Sequence, residues 1–251
     1  MVHFVGAGCG APDLITVRGA RLLGEADLVL YTGSLVDPAL LEYTRPGCKA
    51  RSTADMTLEE VLAAIEAAQA RGAVTVRLHT GDPSLYGAVR EQMDALDARG
   101  IAYDVTPGVS SFCGAAAALK AEYTLPGVSQ TLILTRMAGR TPVPARESIR
   151  SLAAHGASMA IFLSAGMTEA LAAELLAGGL PASTPAAIAC RVSFPDERLL
   201  HCTVGSLAQT ARQAGVTRTA LILVGGFLGG PYDRSKLYDP SFTTGFREAK
   251  P

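Results

Sequence analysis

Apolar runs recur along the chain, with amphipathic stretches between most of them. Buried strands are expected at 2–7, 27–31 (DLVLY), 73–79 (AVTVRLH), 101–105 (IAYDV), 130–135 (QTLILT), 158–163 (SMAIFL), 186–190 and 219–225 (TALILVG). Near-continuous apolar strands separated by helices indicate mainly parallel sheets covered on both faces. The clearest helix is TLEEVLAAIEAAQARG (57–72). There Thr57 and Glu60 have the spacing of a capping box, and Gly72 supplies the stop. The segment ERLLHCTVG (197–205) alternates instead and follows the preceding strand without a helix, so it is expected to pair antiparallel. The pattern is that of an α/β protein. A domain junction is placed in KAEYTLPGV (120–128), giving an N-terminal α/β domain at 1–120 and a C-terminal one at 121–251, irregular from about 226.

Composition narrows the function classes. At 251 residues the chain can bury an ample core, and 18% charged residues is ordinary for a globular protein. A net charge of −1 gives no electrostatic footprint for nucleic acid. The longest apolar run, 220–230, is far short of the ~20 residues that span a bilayer. The N-terminus enters a strand directly, with no basic leader ahead of it. A cytoplasmic protein without membrane attachment is the expectation. Five cysteines (Cys9, Cys48, Cys113, Cys190, Cys202) are odd in number and form no C-x-x-C, so they read as reduced thiols rather than a disulfide frame or a metal site. Four scattered histidines match no triad or metal motif. His79 is the one best placed for chemistry, beside a glycine turn.

Three glycine-bearing turns follow consecutive strands of the first domain. The first, FVGAGCGAPDLIT (4–16), has the strand–loop–helix layout of a dinucleotide site but not its spacing: G-x-G-x-G replaces G-x-G-x-x-G. The acid that should end the second strand is also misplaced, since Asp27 stands at its beginning. No G-K-[ST] occurs, so a P-loop is excluded as well. The second turn, LHTGDPSLYG (78–87), leaves a strand end, where ligands bind in open α/β sheets. Pro83 there is expected to open a helix near Ser84, which Asp82 would cap. The third is TPGVSSFCG (106–114). Each alone is explained by turn chemistry. Three together, at neighbouring strand ends, point to a ligand.

The motifs GAG-x-G-x-P-D-L-I-T (6–16), GDP-x-x-Y-G (81–87) and PGVSS (107–111) resemble the tetrapyrrole methylase family, the class III S-adenosylmethionine-dependent methyltransferases. The stretches YTGSLV (31–36), STADMTLEE (52–60), TRMAGRTPVP (135–144), RVSFPDE (191–197) and SKLYDPSFTTGFR (235–247) resemble its branch that methylates a precorrin-type tetrapyrrole in cobalamin synthesis. The resemblance implies two α/β domains with a cofactor cleft between them, and a homodimer. It implies S-adenosylmethionine as cofactor, leaving as S-adenosylhomocysteine, at Thr80, Gly81, Asp82, Leu85, Ser110 and Ser111. Ala165, Ser193, Thr219 and Ala220 are the matching cofactor positions of the second domain. Asp82 is the implied catalytic residue, orienting the cofactor or assisting proton loss from the ring. On the substrate side the matching positions are Gly8, Cys9, Arg51, Asp55, Met56 and Arg136. The first loop departs from the family's usual GAGPGDP, with Cys9 and Ala11 in place of Pro and Asp.

Chemistry agrees with that implication. In-line methyl displacement asks little of an acid or base, so positioning at ~3 Å carries much of the rate. Arg136, Arg140, Arg146 and Arg150 form the densest basic stretch, and arginine matches carboxylates bidentately. A solvated helix face explains Arg146 and Arg150, which leaves Arg136 as the ligand candidate. Still open from sequence are a cobalt-loaded substrate, a sibling acting on uroporphyrinogen III, a nucleotide-binding oxidoreductase, and a non-catalytic tetrapyrrole carrier.

Overall fold

A computed structural model describes residues 1–250, Ser34 through its backbone alone; Pro251, the last residue of the expected second domain, lies outside the described residues. The chain forms two compact units, one of residues 1–114 with Arg191–Glu197, the other of Ala115–Cys190 with the chain from Arg198 onward.

The first unit contains β1 (Val2–Gly6), α1 (Val17–Glu25), β2 (Leu28–Tyr31), β3 (Lys49–Ser52), α2 (Leu58–Gln69), β4 (Thr75–His79), α3 (Arg90–Asp97) and β5 (Tyr103–Thr106). Its sheet runs β3-β2-β4-β1-β5 with every pairing parallel. Neighbouring strand residues face opposite ways, so the apolar runs serve two cores. Val5, Val29, Val76 and Leu78 pack with Leu22 and Leu23 of α1, while Phe4 and Leu30 pack with Val61 and Ile65 of α2 and Leu96 of α3. Thr57 caps α2 in a full capping box: Glu60 N–H donates to its hydroxyl at 3.3 Å, and its own N–H donates to the Glu60 carboxylate at 2.7 Å. The register aligns Gly6 with His79 and Val5 with Thr106, so the turns after β1, β4 and β5 leave the sheet side by side.

The second unit follows α4 (Ser111–Leu119), a helix that begins in the first unit and ends in the second. It contains β6 (Leu132–Arg136), α5 (Ile149–Ala153), β7 (Ser158–Phe162), α6 (Thr168–Ala177), β8 (Pro185–Cys190), β9 (Arg198–Thr203), α7 (Leu207–Gln213) and β10 (Ala220–Val224). Its sheet order is β6-β7-β10-β8-β9. Parallel pairing continues only in β6–β7, and the other three pairings are antiparallel. The alternating 197–205 segment does pair antiparallel, as β9 against β8. Beyond β10 the described chain contains short 3-10 turns and an isolated bridge between Thr244 and Arg247. No helix among the described residues is long and apolar enough to cross a membrane.

Candidate ligand site

The three glycine turns meet at their backbones. Gly8 and Gly81 exchange two hydrogen bonds: Gly81 N–H donates to the Gly8 carbonyl at 2.8 Å, and Gly8 N–H to the Gly81 carbonyl at 3.3 Å. A Cβ on Gly6 would lie 2.5 Å from Gly108 Cα and 2.6 Å from the Gly81 carbonyl oxygen. One on Gly108 would overlap that same oxygen. No side chain fits at this junction, so glycine at Gly6 and Gly108 is a packing requirement. Gly81 adds a conformational one, with φ +63°.

Asp82 ties the second turn to the third. Its Oδ2 accepts from Gly108 N–H at 2.9 Å, and its Oδ1 accepts from Ser84 N–H at 2.8 Å and from the Ser84 hydroxyl. Burial raises its pKa, but the bonds from the Ser84 hydroxyl and the Gly108 and Ser84 amides together hold it below the usual carboxylate range. Asp82 is therefore held as a carboxylate, with hydrogen bonds to both the second and the third turn. It caps no helix. The chain from Pro83 to Tyr86 is a turn, and α3 opens only at Arg90, because Tyr86 (φ 57°) and Ala88 (φ 47°) are left-handed and break the expected helix. Thr80 is pinned from β2, its N–H donating to the Thr32 hydroxyl at 3.2 Å. Ser110 is buried, Leu85 and Ser111 are half-buried, and Ser111 opens α4.

His79 lies beneath this turn rather than in it. It is 2% exposed, its ring centroid lies 5.9 Å from that of Phe4, and its Nε2 finds no hydrogen-bond partner among the described residues. Burial, and then the nearby Arg77 cation, pushes its pKa down to about 3 from 6.5. The unfolded chain therefore binds a proton below pH 6.5 that the native state refuses. Stability is full above that pH and falls toward pH 3, at about 1.4 kcal/mol per pH unit. His79→Leu is expected to remove this loss. In urea unfolding, wild type should weaken relative to the variant by about 2 kcal/mol between pH 7 and pH 5; parallel stability curves would refute the assignment.

Gly8 and Cys9 serve the turn's own architecture. Cys9 is 7% exposed and turned inward, its Sγ 3.6 Å from the Ser193 hydroxyl, and a Cβ on Gly114 would lie 2.6 Å from that sulfur. Ser193, expected in the second domain, belongs to the first unit, where its hydroxyl accepts from Ala11 N–H at 3.0 Å. It is held at φ 61° by its own N–H donating to Glu197 at 2.7 Å. Arg191 stiffens the same segment, paired with Asp196 at 2.6 Å and stacked 4.3 Å over the Phe194 ring. Arg51 on the edge strand β3 and Asp55 after it are exposed, and Met56 packs into the core cluster around Phe4 and Ile65.

In the second unit Ala165 is buried at the start of a 3-10 turn after β7, and Thr219 (φ 53°) precedes Ala220, the first residue of β10. A cavity of about 770 Å³ is lined by Ala165, Gly166, Met167, Thr168, Arg212 and Thr217 among others. The Arg136 guanidinium is spent internally, donating to the carbonyls of Met137, Thr141 and Pro142 at 3.1, 3.2 and 2.8 Å. It braces the 137–142 loop. Ser164, fully buried and missed by sequence reasoning, joins that loop to β7 by accepting from Met137 N–H at 3.0 Å and donating to Phe162 at 2.7 Å. Only the residue type, serine after an apolar strand, could have hinted at it. Among the described residues no group of His, Cys, Asp and Glu is arranged to hold a metal ion.

Asp27 closes the question of the first turn. Its carboxylate accepts from Val74 N–H at 2.8 Å and pairs with Arg45, so it is a structural clip and no ribose ligand. The meeting glycine turns and the GDP loop lie at the carboxyl edge of the parallel sheet, where ligands bind in open α/β folds. The model of the Tetrapyrrole (Corrin/Porphyrin) Methylases matches residues 1–208, and the chain belongs to that family. It is 45% identical over 249 residues to a cobalt-precorrin-4 C(11)-methyltransferase of Methanocaldococcus jannaschii, covering 99% of this chain and 96% of the relative. It is equally 45% identical over 250 residues to a precorrin-4 C(11)-methyltransferase of Sinorhizobium sp, covering 98% of each. Among solved structures it is similar to a cobalt precorrin-4 methyltransferase of cobalamin biosynthesis, with TM-score 0.89, 42% identity, and 91% and 96% of the two chains covered. It is also similar to the uroporphyrin-III C-methyl transferase of Thermus thermophilus complexed with S-adenyl homocysteine, with TM-score 0.75, 29% identity, and 90% and 92% covered.

Proposed function

We propose that this chain transfers a methyl group from S-adenosylmethionine to C-11 of precorrin-4, giving precorrin-5 and S-adenosylhomocysteine in cobalamin synthesis. The observation that carries the reading is the meeting of Gly6, Gly81 and Gly108 at one carboxyl edge, with Asp82 bonded across two of the turns. The higher identity to the precorrin-4 enzymes than to the uroporphyrin-III enzyme favours C-11 over a sibling ring position. Equal identity to relatives named with and without cobalt leaves both forms of the substrate within the proposal. A cytoplasmic homodimer completes it.

The residues fit the donor. It carries a carboxylate, an ammonium and a sulfonium, which call for short-range polar complementarity rather than one strong opposite charge. Backbone amides and carbonyls of glycine turns supply that, and Asp82, the carboxylate of the second turn, is already bonded to Ser84 and Gly108. Thr80, Gly81, Leu85, Ser110, Ser111 and Ser193 hold the donor, with Ala165, Thr219 and Ala220 as further cofactor residues. When bound, S-adenosylmethionine supplies an electrophilic methyl group. Asp82 orients the turn by fixing the Gly108 and Ser84 amides, so that the alignment is set before substrate arrives. Arg51 and Asp55, exposed and without an ion pair among the described residues, are free to meet substrate carboxylates and amides; Gly8, Cys9 and Met56 shape that side from within, and Arg136 does so through its loop.

The test is incubation of the full chain with methyl-labelled S-adenosylmethionine and precorrin-4, with and without cobalt, followed by nuclear magnetic resonance of the product. One labelled methyl at C-11 is expected. Label at another ring carbon would move the enzyme to a sibling reaction, and binding without turnover would make it a carrier.

A further inference from the structure

We infer that Arg77 and Gln92 are positioning residues of the methyl-donor turn, forming a buried strut that holds the Ala88 carbonyl and with it the end of the GDP loop. The inference rests on the reading above. Arg77 stands in β4, 5% exposed between Val76 and Leu78, and no carboxylate pairs with it among the described residues. Burial lowers its pKa to about 10, so it stays a cation at neutral pH. Its Nε donates to Gln92 Oε1 at 3.0 Å and its Nη1 to the Leu30 carbonyl in β2 at 3.0 Å. Gln92, 6% exposed on α3, passes the connection on: its Nε2 donates to the Ala88 carbonyl at 2.9 Å.

What the strut holds is strained. Tyr86 and Ala88 are non-glycine residues at φ 57° and 47°, and a Cβ on Gly87 between them would overlap the Pro83 carbonyl. Left-handed alanine and tyrosine persist only where the surroundings impose them. The segment they close begins at Thr80 and carries Gly81, Asp82 and Leu85. Packing does not explain the choice of side chains. Two apolar residues would fill the same space without desolvating a cation. The polar pair instead links the Leu30 carbonyl in β2 to the Ala88 carbonyl, a connection that apolar residues cannot make.

Calorimetric titration with S-adenosylhomocysteine, paired with thermal unfolding, separates positioning from stability. Arg77→Met and Gln92→Met each leave a buried polar group without its partner, so both should unfold at lower temperature and bind at least tenfold more weakly. Replacing both together removes the buried cation and the Arg77–Gln92 bond, and leaves only the Leu30 and Ala88 carbonyls without their side-chain donors. The double variant should unfold at a higher midpoint than either single variant and keep the tenfold loss of affinity. Gln92→Glu provides a second route, since it keeps a partner for Arg77 but cannot donate to Ala88; it too should bind at least tenfold more weakly. Wild-type affinity in either the double variant or Gln92→Glu overturns the inference, as does affinity that recovers with the midpoint. A wild-type chain that binds no S-adenosylhomocysteine overturns the methyl-donor reading itself, and the strut's role with it.

Discussion

Gly108→Ala is expected to abolish S-adenosylhomocysteine binding and to lower the unfolding free energy by about 3 kcal/mol, the upper end of overpacking costs. The added methyl carbon would overlap the Gly81 carbonyl oxygen and lie 2.7 Å from Gly6 Cα. Those atoms are backbone, held by the Gly8–Gly81 bonds and by β1 pairing with β4, so no side chain can rotate away. The turns must separate, and with them the amides that would meet the donor. A drop of roughly 10 °C in the unfolding midpoint is the thermal counterpart. Gly229→Ala is the control: its φ of 165° is ordinary extended backbone, and nothing lies within 4 Å of the new carbon, so a change within about 0.5 kcal/mol is expected. A Gly108→Ala protein with wild-type stability and affinity would mean that the close approach of the three turns is not needed.

Asp82→Ala is expected to cut kcat/KM on the order of 100-fold, because a small displacement of a positioned reactant costs that much. The loss should appear in donor affinity as well as in turnover. Gly108 and Ser84 lose their shared acceptor, and the second and third turns come apart. Asp82→Asn can serve Ser84 or Gly108 with an oxygen but not both, so an intermediate loss is expected. The pH profile distinguishes this role from proton transfer. The Asp82 carboxyl is held below its usual range, so it stays ionised through neutral pH and contributes no titrating limb there. Wild type and Asp82→Asn should therefore show parallel profiles. Loss of turnover with donor affinity intact, together with a vanished acid limb, would instead make Asp82 a general base.

Much of this architecture was legible because it rests on local chemistry. The apolar runs became strands within a residue or two, and Thr57 with Glu60 formed the expected capping box. The glycine turns were legible as a group, since three of them at neighbouring strand ends exceed what turns require. Features that depend on partners distant in sequence stayed hidden. Lys49–Ser52 has no apolar signature because it is an edge strand with three exposed residues. The helix expected from Ser84 starts at Arg90, since Tyr86 and Ala88 adopt a backbone conformation their residue types disfavour. Arg136 read as a carboxylate ligand, yet its fork is filled by three carbonyls of its own loop, an arrangement no spacing announces. Ser193 joins the first unit although the chain around it builds the second, because its hydroxyl serves the Ala11 amide. Arg77 and Gln92 are 15 residues apart and joined only by the fold, so no spacing announces their bond.

If the glycine turns at Gly6, Gly81 and Gly108 hold a methyl donor, the chain must bind its demethylated product. Calorimetric titration of the full chain, once with S-adenosylhomocysteine and once with NADH, tests it most directly. Saturable binding of S-adenosylhomocysteine alone, lost in Gly108→Ala and weakened in Asp82→Ala, is the result expected. Binding of NADH alone, or S-adenosylhomocysteine affinity untouched by both substitutions, would contradict it.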